Sequence, residues 1–318
     1  MLAPRLLHAD AVKEPNVKSA VRPIGIAVIA LVAGLSGAER SLAQNQKLKA
    51  VDVELVLAVD ISQSMDEEEH TLQRMGYVEA FRHKDVINAL LSGPEGRIAV
   101  TYMEWGGTYD PYQLIPWTII DSEKAAHAFA DKLADEPITS EQRTSISNAL
   151  IGAVRLIEGN DIAAHRRVID VSGDGANNAG PPVEDTRDKV LKRDIVINGL
   201  PIMLNKPKQY YDIDHLDRYY KNCVIGGPAA FIAPVFKLDQ LSATIRKKLV
   251  LEIAGLEADP SALPGSPPVQ FADAGPSPSD GGAGLSRVQL KIPAEKTDCF
   301  AGEKAMGDRG GRGRFQDQ

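Results

Sequence analysis

The sequence predicts an α/β fold, a single doubly wound, mostly parallel sheet with helices on both faces. Two observations carry that prediction. Short runs dense in Val, Ile and Leu, with few polar residues between them, suit strands covered on both sides. These runs alternate with stretches of roughly 10 to 15 residues whose apolar positions recur every three or four, which suits crossover helices packed on a sheet. A third observation bounds the domain. Residues 44–254 hold 13 Gly and 10 Pro in 211 residues, an ordinary share for a packed domain and enough chain for one such sheet.

Taken in order, Val53 to Val59 is apolar except for Glu54 and predicts the most buried strand. Asp66, Glu67, Glu68 and Glu69 follow, and acids there complement the positive end of a helix dipole, so a helix begins after a short loop. Arg97 to Glu104 and Leu114 to Ile120 predict two strands close enough to pair without a helical crossover. Asp121 to Leu133 predicts a helix with Ala125, Ala126, Phe129, Ala130 and Leu133 on one stripe. Ser145 to Glu158 is the clearest periodic stretch, through Ile146, Ala149, Leu150, Ala153, Val154 and Ile157. Arg167 to Val171 predicts a strand, Val183 to Arg193 a helix, and Ile195 to Ile202 a further buried strand. Tyr210 to Lys221 predicts a helix, Ala229 to Val235 a short strand, and Leu238 to Val250 a last helix with Leu241, Ile245 and Leu249 in register.

The flanks differ from this middle. Arg22 precedes an apolar run from Ile24 to Ala38, and Ser41-Leu42-Ala43 supplies small residues for a cut after Ala43. Residues 1–43 therefore predict a secretory signal peptide, with a retained N-terminal membrane anchor as the alternative. Fifteen apolar residues fall short of the roughly 20 that span a bilayer, so no stable span is expected after cleavage. The expected destination is the periplasm or the medium. Residues 255–318 carry 11 Gly and 7 Pro in 64 residues, which predicts a largely disordered tail. Export would permit a bridge between the only two cysteines, Cys223 and Cys299.

Composition excludes several classes. The 318 residues carry a formal charge of −7, and aromatics are 5% of the chain, so neither bulk charge nor stacking surface for nucleic acid is present. Arg309, Arg312 and Arg314 lie between glycines near the end, and beside Asp308 and Asp317 they read as a soluble tail. Two cysteines make neither a disulfide framework nor a four-thiolate zinc site.

Ligands of doubly wound sheets bind at the carboxyl ends of the strands, which directs attention to Asp60-Ile61-Ser62-Gln63-Ser64. In an extended turn alternate residues point the same way, so Asp60, Ser62 and Ser64 can converge. A carboxylate and two hydroxyls are hard oxygen donors, suited to Mg2+ or Mn2+. Thr144, before the periodic helix, and Asp174, after the Arg167 to Val171 strand, are the further candidates. Each has a plainer reading: Ser62 and Ser64 as caps of the next helix, Thr144 as an N-cap, and Asp174-Gly175 as a turn. Glu104 is either an accessory ligand, a partner for Arg143 or a solvated acid at a strand end.

This set, Asp60-x-Ser62-x-Ser64, then Thr144 before Ala149-Leu150, then Asp174-Gly175, resembles the metal-ion-dependent adhesion site of the von Willebrand factor A-type (vWA) domain. The resemblance covers about Val51 to Ala254. Val59-Asp60-Ile61-Ser62-Gln63-Ser64-Met65 and Val224-Ile225-Gly226-Gly227-Pro228 further resemble a bacterial, exported group of vWA-like proteins. The resemblance implies one divalent ion on Asp60, Ser62, Ser64, Thr144 and Asp174, with a coordination position left for the carboxylate of a protein or other ligand. The threonine loop departs from the family, being Gln142-Arg143-Thr144 where glycines are usual.

Three functions follow: a metal-dependent binding module, a metal-dependent hydrolase using Asp60 or Asp174, and a structural vWA domain without metal. Against the hydrolase, none of the six histidines lies on these loops, and Ser172-Gly173-Asp174-Gly175 lacks the Gly-x-Ser-x-Gly elbow.

Overall fold

The computed structural model describes residues 50–107, 110–204, 213–255, 270–271 and 297–312. The predicted signal, residues 1–43, lies outside them, as do the first residues of the helix predicted from Tyr210 and most of the tail.

Strand β1 (Val51–Asp60) is buried along its whole length. Its side chains divide between two cores by the strand's alternation: Val53, Leu55, Leu57 and Val59 enter one, Val56 and Ala58 the other. β2 (Ile98–Trp105) and β4 (Ala164–Gly173) flank it in parallel, and β3 (Tyr112–Ile120) closes one edge antiparallel to β2. β5 (Ile195–Pro201) pairs in parallel with β4. The two-residue strands β6 (Phe231–Ile232) and β7 (Gln270–Phe271) complete the order β3-β2-β1-β4-β5-β6-β7. The predicted fold class stands.

Helices α1 (Glu67–Arg82), α2 (Lys84–Leu91), α3 (Glu123–Asp135) and α7 (Leu241–Ala254) cover the first face, through Tyr77, Phe81, Val86, Phe129 and Leu249. On the other face α4 (Ile146–Glu158), α5 (Val183–Leu191) and α6 (Leu216–Tyr219) bury Ile146, Leu150, Val183 and Tyr219. A π-helical turn, Tyr220–Val224, continues α6.

Several predictions change in detail. α2 was not read from the sequence, since eight residues give too few turns for a clear period. The strand expected over Ala229 to Val235 shrinks to two residues, because the left-handed Ala229 and Gly227 turn the chain just before it. Within the tail, expected to be largely disordered, the described residues include a helix, α8 (Ala301–Arg312). Cys223, on the π-helical turn, is joined to Cys299 across 76 residues of sequence, which holds residue 299 at the second core.

α1 begins with a reciprocal cap. The Glu69 N–H donates to Asp66 Oδ1 at 2.9 Å while the Asp66 N–H donates to Glu69 Oε2 at 2.9 Å. Asp66→Ala should therefore lower stability by about 1 kcal/mol, seen as a reduced urea midpoint with an unchanged slope.

α7 also carries a feature that its apolar stripe hides. Lys248 and Glu252, one turn apart, are buried and face the sheet. Lys248 Nζ lies 2.5 Å from Asp170 Oδ1 of β4 and pairs with Glu252, whose Oε1 also accepts from Asn198 Nδ2 at 3.0 Å. In sequence, Lys and Glu at i and i+4 read as a surface pair.

Candidate metal centre

All five predicted residues meet at the carboxyl ends of β1 and β4, on three loops tied by backbone bonds. The first loop pairs with the second where Gln63 N–H donates to Glu141 O at 2.8 Å and Glu141 N–H to Ile61 O at 2.7 Å. The second pairs with the third through Asn178 N–H to Thr144 O and Thr144 N–H to Asn178 Oδ1, each 2.9 Å.

The plainer readings give way one by one. Asp66 caps α1, which leaves Ser62 and Ser64 free of that role. Ser145, not Thr144, is the N-cap of α4, accepting from Asn148 N–H. Ser62 Oγ and Ser64 Oγ are 2.8 Å apart, and Ser64 Oγ donates to Asp174 Oδ1 at 2.5 Å. Asp174 is thus joined to the first loop rather than serving only a turn. Thr144 Oγ1 reaches the same place, since a Cβ on Gly175 would lie 3.4 Å from it.

Asp60 is fully buried. Its Oδ1 accepts from Ser62 N–H at 2.8 Å, while Oδ2 is buried with no hydrogen bond among the described residues. Burial pushes its carboxyl well above the usual carboxylate range, and the Asp174 carboxylate pushes it further. Two carboxylates that oppose each other's ionisation, one with an orphaned buried oxygen, and three hydroxyls are a donor set that a hard divalent cation would satisfy. Among the described residues no group of three or more His, Cys, Asp or Glu side chains that could hold a metal ion gathers.

Two residues near the site escaped the sequence reading. Tyr220, on the π-turn, is buried, and a Cβ on Gly173 would lie 2.9 Å from its hydroxyl and 2.7 Å from Asp60 Oδ2. Burial raises the Tyr220 phenol well above its ordinary value, as do the Asp60 and Asp174 carboxylates, so it stays a neutral hydroxyl, itself without a hydrogen bond among the described residues. Met306 of α8 is the second: it lines the cleft over the site, 290 Å³ in volume, with Ser64, Thr144, Arg143 and Asn178. No signal in the tail's composition places it there.

Arg143 sits at φ 67°, a left-handed conformation that accounts for glycine being usual in this loop. Its proposed partner is corrected. Glu104 is not solvated; it is buried and paired with Arg74 of α1, with Thr139 Oγ1 donating to it at 3.2 Å. A charged residue on α1 is invisible to any reading of the β2 end alone.

The strand order, parallel through its middle with antiparallel strands β3 and β7 at its edges, and the three loops at the carboxyl ends, define a vWA-type fold. The chain belongs to the family described as "Protein of unknown function (DUF1194)", whose model matches residues 50–257. No curated protein matches. Similar solved structures include proximal thread matrix protein 1 from the mussel byssus, at 14% identity and TM-score 0.47 over 64% of this chain and 48% of that one. Another structure of that protein, at 14% identity and TM-score 0.45 over the same shares, has a zinc-occupied MIDAS motif. A von Willebrand factor type A protein from Catenulispora acidiphila matches at 14% identity and TM-score 0.43, over 64% and 43%. BatB from Bacteroides thetaiotaomicron matches at 17% and 0.40, over 64% and 100%. The present chain thus spans less than half of the mussel and Catenulispora chains. No helix among the described residues is long and apolar enough to cross a membrane.

Proposed function

We propose that the protein is an exported binding module that takes a carboxylate of a protein or other ligand at a divalent cation, Mg2+ or Mn2+, held by Asp60, Ser62, Ser64, Thr144 and Asp174. The observation that carries the reading is the convergence of three loops on the orphaned, buried Asp60 Oδ2 and the Ser62–Ser64–Asp174 chain. When bound, the ion supplies a positive charge not fully neutralised by its few acidic ligands, so an incoming carboxylate is attracted to it. The chain's own residues supply the rest. Ser62 N–H orients Asp60, the Thr144–Asn178 bonds hold the second loop, and Arg143 at the rim of the cleft favours an acidic partner. Export follows from the signal read over residues 1–43, with the mature chain beginning at Gln44 and working in the periplasm or the medium.

Affinity capture from the exporting cell tests the reading. Partners should be retained in Mg2+, released by EDTA, and absent from Asp174→Ala columns. Capture that ignores EDTA, or metal-dependent turnover of ester or phosphoester substrates lost in Asp60→Ala, would replace it, the second outcome in favour of a hydrolase.

A further inference from the structure

The cleft over the site has a wall that comes from outside the matched residues 50–257. Residues 297–306 reach it by a series of anchors. Cys299 is bonded to Cys223, and Asn222 Nδ2 donates to Thr297 Oγ1 at 2.5 Å. Asn177, on the third metal-site loop, donates through Nδ2 to Glu303 Oε1 at 2.8 Å. Tyr219 Oη links the two sides, accepting from Asn177 N–H at 3.2 Å and lying 3.4 Å from Cys299 O. Gly302 is seated on the loop so closely that a Cβ there would fall 2.2 Å from the Asn177 carbonyl oxygen. One turn further on, half-buried Met306 enters the cleft. Every other side chain described in the lining is polar or charged, so the thioether is the one apolar contact offered there beside the metal position.

We propose that residues 297–306, fastened by the Cys223–Cys299 bridge and the Gly302 seat, form a second wall of the ligand cleft, and that Met306 makes it prefer acidic peptides with an apolar residue beside the carboxylate. This rests on the carboxylate-binding reading above and narrows it to a ligand class. Charge at the ion and Arg143 selects the acid, but neither can sense its neighbour. A flexible thioether packs on apolar side chains of varied shape.

The test uses the full oxidised chain with Mn2+ and two capped probes, acetyl-Leu-Asp-Leu-amide and acetyl-Gly-Asp-Gly-amide. The leucine peptide should bind tighter by on the order of fivefold, the gain of one apolar contact in an open cleft. Met306→Gln should bring the ratio to about one with Mn2+ affinity unchanged. Equal binding of the probes to the wild type, or a preference that survives in Met306→Gln, overturns the proposed selectivity while leaving the metal site standing. Failure of the wild type to bind Mn2+ or either probe sinks the metal-site reading and the selectivity together. The wall itself has a readout that needs no metal. Gly302→Val leaves the core and the disulfide in place but cannot sit on Asn177, so deuterium uptake over residues 176–179 should rise at least about tenfold. Unchanged uptake there means that the segment does not cover the loop and overturns the wall.

Discussion

Lys248→Met should destabilise the protein by about 3 to 5 kcal/mol, among the largest effects of any single replacement outside the apolar core. Lys248 lies between the Asp170 and Glu252 carboxylates, and all three are at most 2% exposed. Without the ammonium, two buried acids face each other and lose the cation between them. Two acids on one base also leave an excess carboxyl in the wild type. Burial first, and then the Asp170 carboxylate, raise Glu252 to about 8 from an ordinary value of 4.5, against the pull of Lys248. Between those values the native protein keeps a proton that the unfolded chain has released. The stability this contributes is therefore complete below about pH 4.5 and lost as pH rises through 8, at most about 5 kcal/mol over the interval. Glu252→Gln keeps an acceptor for Asn198 and removes the titration, so its stability should exceed that of the wild type at pH 9 and differ little at pH 5. Denaturant unfolding at the two pH values checks both variants. Loss of stability on lowering the pH from 9 to 5, in the wild type but not in Glu252→Gln, would reverse the assignment.

The second large effect is a crossing of stabilities at the metal centre. In EDTA, Asp60→Asn should melt at or above the wild-type temperature. The amide keeps an oxygen for Ser62 N–H and removes a buried carboxylate that Asp174 opposes and whose Oδ2 has no hydrogen-bond donor among the described residues. With Mg2+ at about a hundred times its dissociation constant, the wild type should gain about 3 kcal/mol, because the ion binds only the folded chain. Asp60→Asn should gain almost none. A wild-type melt insensitive to Mg2+ and Mn2+, or an equal gain in Asp60→Asn, removes Asp60 from the ligand set. The combination is what separates a ligand from a structural residue: a buried acid kept only for the fold would lose stability on replacement in EDTA as well.

The fold was legible, and the five candidate residues could be singled out, because both rest on local pattern. β1 is apolar on both faces, α4 keeps a clean helical period, and Asp60, Ser62, Ser64, Thr144 and Asp174 stand at strand ends where a doubly wound sheet exposes its loops. The sequence could not say which residues cap the helices, and the structure does so through single atoms: Asp66 caps α1, Ser145 caps α4, and the Ser62 and Ser64 hydroxyls turn to one another and to Asp174. What stayed hidden depends on contacts far apart in the chain. Glu104 meets Arg74, Lys248 meets Asp170, and Tyr220 comes to Asp60 from a π-turn 160 residues later. The ordered part of the tail is the clearest example. Gly and Pro content predicts a largely disordered tail and carries no trace of the Cys223–Cys299 bond, which restricts the chain beside it where Glu303 accepts from Asn177 and Met306 lines the cleft.

Counting bound Mn2+ by electron paramagnetic resonance tests the central claim most directly. The wild type should bind one ion per chain, displaced by excess Mg2+, with the signal of bound Mn2+ lost in Asp60→Asn and strongly weakened in Ser64→Ala. No bound Mn2+ in the folded wild type, or an ion retained undiminished in both variants, would contradict it.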